Sequence, residues 1–231
     1  SNLRNMRINT YLFPLFLFLF LASGGFLFSQ TETPEETAPE ITYYVDMNSF
    51  FDKEGKPYLE FYLDVDASSL KLVQQESGLY QGAVEVDLRV EKVGGDMVYE
   101  RSFELLGSEI QNPDKKEGIM DIRRISLDPG RYIFHGRLKD LNDDSGKPHG
   151  FSREFAMEQQ SANFCSLSEI EFIQSFRPVT QAQPHTKHGY EILPMVTNGT
   201  YMDADSLHFY LEAYHTDRES EDVFFINAYI T

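Results

Sequence analysis

The sequence has no tryptophan and one cysteine, and it carries 20 basic residues against 37 acidic ones. With Cys165 alone, no intrachain disulfide can form, so stability must come from burial of a core. Because an acylated cysteine would have to sit at the mature amino terminus, Cys165 also excludes a lipoprotein anchor of that type. The reading of its thiol is a small buried hydrophobe rather than a reactive nucleophile. The formal charge of −17 repels phosphate backbones and anionic lipid surfaces, so nucleic acid is not an expected partner. Also missing are a long helical period, a solenoid-type repeat and coiled-coil heptads.

What is present begins with a leader. Met6, Arg7 and "YLFPLFLFLFLASGGFLFSQ" supply a basic start, an apolar run and then small residues, the order of a secretory signal peptide over residues 1–29. Residues Ser1 to Asn5 precede the expected initiator. Pro14 and the Gly24-Gly25 pair argue for cleavage over a retained membrane anchor, so no membrane span is expected after cleavage. The expected location is the periplasm or the outer cell surface. Residues 30–40, "QTETPEETAPE", are acidic, carry proline and have nothing to bury, which predicts a short disordered linker.

From Ile41 the hydrophobic period is two. In "YLEFYLDV", Leu59, Phe61, Leu63 and Val65 share one face, with Glu60 and Asp64 on the other. In "AVEVDLRVE", Val84, Val86, Leu88 and Val90 alternate with charged residues, the pattern of a strand with one face on a core and one in water. Further strands are expected near Thr42–Phe50, Met97–Leu105, Ile119–Leu127, Arg131–Lys139 and Gly150–Met157, separated by turn-formers such as "DKEGKP", "VGGD" and "LDPG". Seven short strands at this spacing describe an antiparallel β-sandwich of immunoglobulin-like size over residues 41–158. In "IMDIRRISL" the phase slips between Ile122 and Ile125, predicting a bulge at Arg123 and Arg124. "LDPGRY" has the arrangement of a tyrosine corner, with a structural role for Tyr132.

A second unit is expected over residues 161–231, where "SEIEFIQSF", "YEILPMV", "SLHFYLEAYH" and "EDVFFINAYIT" read as strands. The alternation sets Ile170 and Phe172 against Glu169 and Glu171, with Leu207, Phe209 and Leu211 inward. This unit is short for a sandwich and is expected to be incomplete. Its last strand is apolar on both faces, so Val223, Phe225, Ile226 and Tyr229 are the candidate partner-binding residues, through addition of a strand at a sheet edge. The fold class is therefore all-β: two consecutive antiparallel β-sandwiches after a signal peptide and a short linker.

Chemistry is sparse. In "DLNDDSGKPHG", Asp140, Asn142 and Asp144 alternate as calcium ligands would. However, Ser145 holds the place of the sixth-position glycine and Phe151 that of the twelfth-position glutamate, which favours an Asx-rich hairpin turn over a metal site. "PHTKHGYE" offers His185, His188 and Glu191 in a loop between Pro184 and Gly189, without a helix to aim both rings at a metal. Ser68 and Lys71 have S-x-x-K spacing but lack the S-D-N and K-T-G partners. There is no P-loop, G-x-S-x-G elbow or G-x-G-x-x-G, and no cofactor is expected. The 13 tyrosines and 19 phenylalanines fit strand-face packing; in "ITYYVDMNSFF" and "LHFYLEAYH" they are also the candidates for stacking on sugars.

Taken together, "YYVDMNSFFDKEGKPYLEFYLDVDASSLKL", "YQGAVEVDLRVEK", "LDPGRYIFHGRLKD", "HGYEILPMV" and "LHFYLEAYHTD" resemble the amino-terminal region of the GWxTD-domain proteins exported by Bacteroidetes-type bacteria. The likeness runs from Thr42 to Thr231 and is carried by strand patterns. The Gly-Trp-x-Thr-Asp segment itself is absent, so the resemblance implies a shortened relative, and it implies no enzyme activity and no functional residues. The expected function is that of a non-catalytic envelope protein that binds another protein. The alternative is a carbohydrate-binding module, with or without calcium.

Overall fold

A computed structural model describes residues 40–115, 117–144, 146–161, 163–181, 186–197 and 206–218. The expected signal peptide and all but the last residue of the expected linker lie outside them, as do His185, Val223, Phe225, Ile226 and Tyr229.

Every sheet is antiparallel, and no α-helix occurs among the described residues. The chain forms β1 (Tyr43–Phe51), β2 (Pro57–Val65), a short hairpin of β3 (Val73–Gln74) and β4 (Tyr80–Gln81), β5 (Ala83–Lys92), β6 (Met97–Leu106), β7 (Ile119–Ser126), β8 (Gly130–Asp140) and β9 (His149–Met157). The seven long strands lie within a residue or so of the expected ones. They make a sandwich of a three-stranded sheet, β1-β2-β7, and a four-stranded sheet, β6-β5-β8-β9. Apolar alternation explains it: Leu59, Phe61, Leu63 and Val65 of β2 and Val84, Val86, Leu88 and Val90 of β5 are all buried in one shared core.

An aromatic stack holds the middle of this core. Phe61 lies 4.6 Å from Phe134, nearly parallel to it, and Phe151 lies 6.0 Å from Phe134. Phe151 pairs directly across from Gly136, and its ring occupies the space a Cβ there would need: the nearest ring carbon would be 2.1 Å away. At the edge, the Tyr132 hydroxyl donates to the Asp128 carbonyl at 2.7 Å, closing the tyrosine corner. Tyr132→Phe is expected to cost about 1 kcal/mol, because it removes one net hydrogen bond and leaves the ring in place. Urea unfolding checks this.

The expected bulge at Arg123 and Arg124 is absent. The β2–β7 register runs unbroken from Tyr58↔Ser126 to Val65↔Ile119. The phase slip has another cause: Asp121 and Arg123 occupy core-side positions on an edge strand. There they pair with each other at 2.6 Å, and the Arg123 guanidinium lies 3.4 Å over the Phe103 ring. A charge neutralised on its own strand and laid on an aromatic face is tolerated where an apolar residue was expected.

After the sandwich come β10 (Ser166–Leu167), β11 (Glu171–Pro178), β12 (Thr186–Lys187), β13 (Tyr190–Pro194), β14 (His208–Tyr210) and β15 (Ala213–Tyr214). Four of these form a sheet in the order β12-β13-β11-β14, and β10 pairs with β15. Here the expected facing is inverted. Glu171 and Ile173 are buried, whereas Ile170, Leu207 and Phe209 are 53%, 40% and 46% exposed. Glu171 pairs with Tyr210 and Phe172 with Phe209, so the two pairs point to opposite faces. The face carrying Glu171 is the buried one because it meets the outer side of β1-β2-β7, where Lys187 of its own sheet lies between the Glu171 and Glu60 carboxylates.

Candidate functional site

The outer side of the three-stranded sheet is not in water. Glu60, on the polar side of "YLEFYLDV", is 1% exposed, and its strand neighbours there, Tyr58 and Tyr62, are half-buried and buried. The ladders place the groups. Glu60 sits directly opposite Arg124 on β7 and Asn48 on β1, and Tyr58 sits opposite Phe50. From the second sheet, Lys187 arrives at the end of β12. It is aimed by a two-residue hairpin in which His188 and Gly189 both have positive φ, 47° and 83°, the backbone of a primed turn.

The result is a closed ion cluster. Arg124 Nε donates to Glu60 Oε1 at 2.6 Å. Glu60 Oε2 accepts the Tyr62 hydroxyl at 2.5 Å and stands 2.5 Å from Lys187 Nζ. Lys187 Nζ also donates to Glu171 Oε2 at 2.5 Å. The ammonium lies 3.8 Å over the Phe50 ring and 4.8 Å over Tyr210. Two carboxylates, one guanidinium and one ammonium sum to zero, which is the condition for keeping so many ions out of water.

The two carboxyls titrate apart. Burial would push Glu60 up, but the Lys187 ammonium, the Tyr62 hydroxyl and Arg124 outweigh it and hold Glu60 below the usual range. Burial dominates at Glu171 and, with the nearby Glu60 charge, raises it despite Lys187. Burial, reinforced by Glu60 and Glu171, also pushes the Tyr62 phenol well up, so it stays a donor. Asn48 is 6% exposed, and among the described residues its Nδ2 has no hydrogen-bond partner.

Above the cluster opens a cleft of about 770 Å³, lined among others by Phe51, Tyr58, Arg124, His188, Tyr210 and Tyr214. The Tyr210 and Tyr214 hydroxyls donate to the two oxygens of Glu212, each at 2.6 Å, and the Phe51 amide donates to the Tyr214 oxygen at 3.1 Å. The Glu212 carboxylate is therefore committed to holding two rings. What the cleft offers a ligand is aromatic surface flanked by Arg124 and by His188, which is 3.6 Å from Glu212.

The sequence-derived candidates fall elsewhere. Both oxygens of Asp140 accept backbone amides, from Lys71 at 2.7 Å and Asn142 at 2.8 Å, and the Asn142 amide group donates to the carbonyls of Lys71 and Gln81. Asp144 is exposed. The loop is an Asx turn that ties β8 to the 71–81 segment. Asp140→Ala is expected to cost about 1–3 kcal/mol by stripping two amides of their acceptor. Millimolar calcium is expected to leave the unfolding midpoint of the parent unchanged, and calorimetry reads both. Among the described residues, no three His, Cys, Asp or Glu side chains are grouped to hold a metal. Ser68 lies in a turn capped by Asp66, whose carboxylate accepts its amide at 2.8 Å, and Cys165 is half-buried.

Glu60, Glu171, Lys187 and Arg124 were not singled out by motif. The available signal was on β2 alone, where Tyr58 and Tyr62 flank Glu60 two residues away on the same face and make that face more aromatic than a solvated one needs to be. The sequence matches no protein-family model and no curated protein.

Proposed function

We propose that the chain is a non-catalytic, exported cell-envelope protein whose second sheet docks a protein partner. One observation carries this reading: the β11–β14 sheet turns its apolar side chains outward. Phe172 and Phe209 pair on that face, where Phe209 is 46% exposed and Leu193 of β13 is 39% exposed. Soluble chains rarely leave such residues grouped in water, and grouped apolar surface of this kind is typical of protein-binding sites. The resemblance to exported GWxTD-domain proteins and the leader-like start of the sequence favour the envelope as the setting.

The test is capture of envelope proteins by the mature chain, compared with a Leu193→Asp/Phe209→Asp variant. The reading expects a specific partner lost in the variant at an unchanged unfolding midpoint. A monomer that captures the same proteins with and without these two side chains contradicts it.

Carbohydrate binding is the second reading, and the aromatic cleft favours it: Phe51, Tyr210 and Tyr214 come from the two segments whose aromatics suggest stacking on sugars. A glycan array with and without chelator separates the two readings, and Tyr58→Ala identifies the cleft as the site.

A further inference from the structure

We propose that Lys187 and Glu171 become joined by an intramolecular amide bond, a covalent staple inside the second sheet built by the cluster around them. With one cysteine the chain has no intrachain disulfide available. The cluster has the parts that amide formation needs. The amine is 4% exposed and lies 2.5 Å from an oxygen of Glu171; that carboxyl is itself 2% exposed; a second carboxylate, Glu60, lies at the same 2.5 Å from the nitrogen. Phe50 and Tyr210 cover the nitrogen.

The step needs the amine neutral. An ammonium is no nucleophile, so the step begins with a proton leaving Nζ, which lies 2.5 Å from both Glu60 and Glu171, while Arg124 remains on Glu60. Moving one proton from Nζ to Glu171 Oε2 converts the Lys187–Glu171 pair from charged to neutral and leaves the cluster's total charge unchanged. A water-excluded site disfavours separated charge, which works toward the neutral pair, and the raised titration of Glu171 points the same way. Holding the two groups in contact replaces a bimolecular encounter with an effective concentration of about 10⁵–10⁸ M.

The step balances. The Nζ lone pair attacks Glu171 Cδ, and the C–N bond forms. Glu60 Oε2 takes the proton that the nitrogen sheds, and the Tyr62 hydroxyl, which donates to that same oxygen at 2.5 Å, holds the carboxylate in place. The proton passes to the departing Glu171 oxygen, the C–O bond breaks, and one water leaves. Nothing is oxidised or reduced.

Glu60 is a proton carrier here, and Asn48 is the competing acceptor. Its side chain is buried opposite Glu60, and attack on it would release ammonia rather than water.

Intact mass of the purified folded chain tests the proposal. The expected result is a chain lighter by one water than its sequence, with a tryptic peptide from Glu154 to Arg218 left uncut at Lys187 and lighter by the same water. Lys187→Arg is expected to restore the full mass, and Glu60→Gln to leave most of the chain at full mass while folded by circular dichroism. A parent chain at full mass with Lys187 cleaved overturns the proposal without reference to any variant. So does a loss of ammonia, or a branched peptide that joins Lys187 to Glu60.

Discussion

Measured against the ion-paired chain, before an amide closes between Lys187 and Glu171, Lys187→Met is expected to destabilise the fold by about 3–5 kcal/mol at neutral pH, because it strips the cation from between two buried carboxylates without relieving their burial. Methionine nearly preserves the volume, so lost packing is a small part of the cost. The loss is expected to shrink on acidification. In the variant, burial and the Glu60 charge still raise Glu171 above its ordinary value of 4.5, now without the ammonium to counter them. The folded state then binds the Glu171 proton more tightly than the unfolded chain, so its stability rises as pH falls into the folded titration range. The parent moves the other way through Glu60. Its depressed carboxyl contributes stability above its unfolded value, and that contribution is lost as pH falls through the folded one. Urea unfolding of both chains across the acid range should show the two curves converging. Adding Glu171→Leu to Lys187→Met should recover much of the loss, since Glu60 keeps Arg124 and no second carboxylate remains unpaired. A deficit independent of pH would place its origin in packing instead.

Phe134→Ala is expected to cost about 3–5 kcal/mol at any pH, through the cavity it leaves. Phe134 has no exposed surface and packs against both Phe61 and Phe151, which also touch each other. Collapse of the neighbours cannot fill the space easily: Phe61 is on β2 in the facing sheet, and the Phe151 ring is already seated over Gly136. Equilibrium unfolding measures the loss. Phe134→Leu, which keeps most of the volume, is expected to recover more than half of it.

These two effects divide along the line between what the sequence discloses and what it does not. The sandwich was legible because its strands bury one face only. Val84, Val86, Leu88 and Val90 are all at 0% exposure, and the charged residues between them face outward. The same logic faced β2 correctly but misassigned β11, and each of the two presents a polar-looking face to a partner layer. A period of two reports which residues share a face; it cannot report whether a second sheet arrives to cover the polar one. Glu60 and Glu171 therefore looked solvated and are 1% and 2% exposed. Lys187 looked like a loop cation beside two histidines, because the primed turn that aims it depends on His188 adopting a backbone conformation uncommon for a residue with a Cβ. The cleft was half legible. "LHFYLEAYH" drew attention as aromatic surface, but the pairing of Tyr210 and Tyr214 on Glu212 is a tertiary fact with no sequence period behind it.

The inversion of the second sheet also links structure to the proposed function. Had Phe209 and Leu207 faced inward, the sheet would present a charged surface. Instead, the cluster draws the polar side chains in, and the apolar ones are left for another surface to cover.

The central claim is that Glu60, Lys187 and Glu171 join the second sheet to the outer face of β1-β2-β7. Native-state hydrogen exchange read by mass spectrometry tests it most directly. The account predicts that amides of β2 (57–65) and β11 (171–178) lose protection together, at one free energy, and that Lys187→Met lowers protection in β11 first. Exchange in β11 that runs far ahead of β2 in the parent chain, and is unchanged by Lys187→Met, would contradict it.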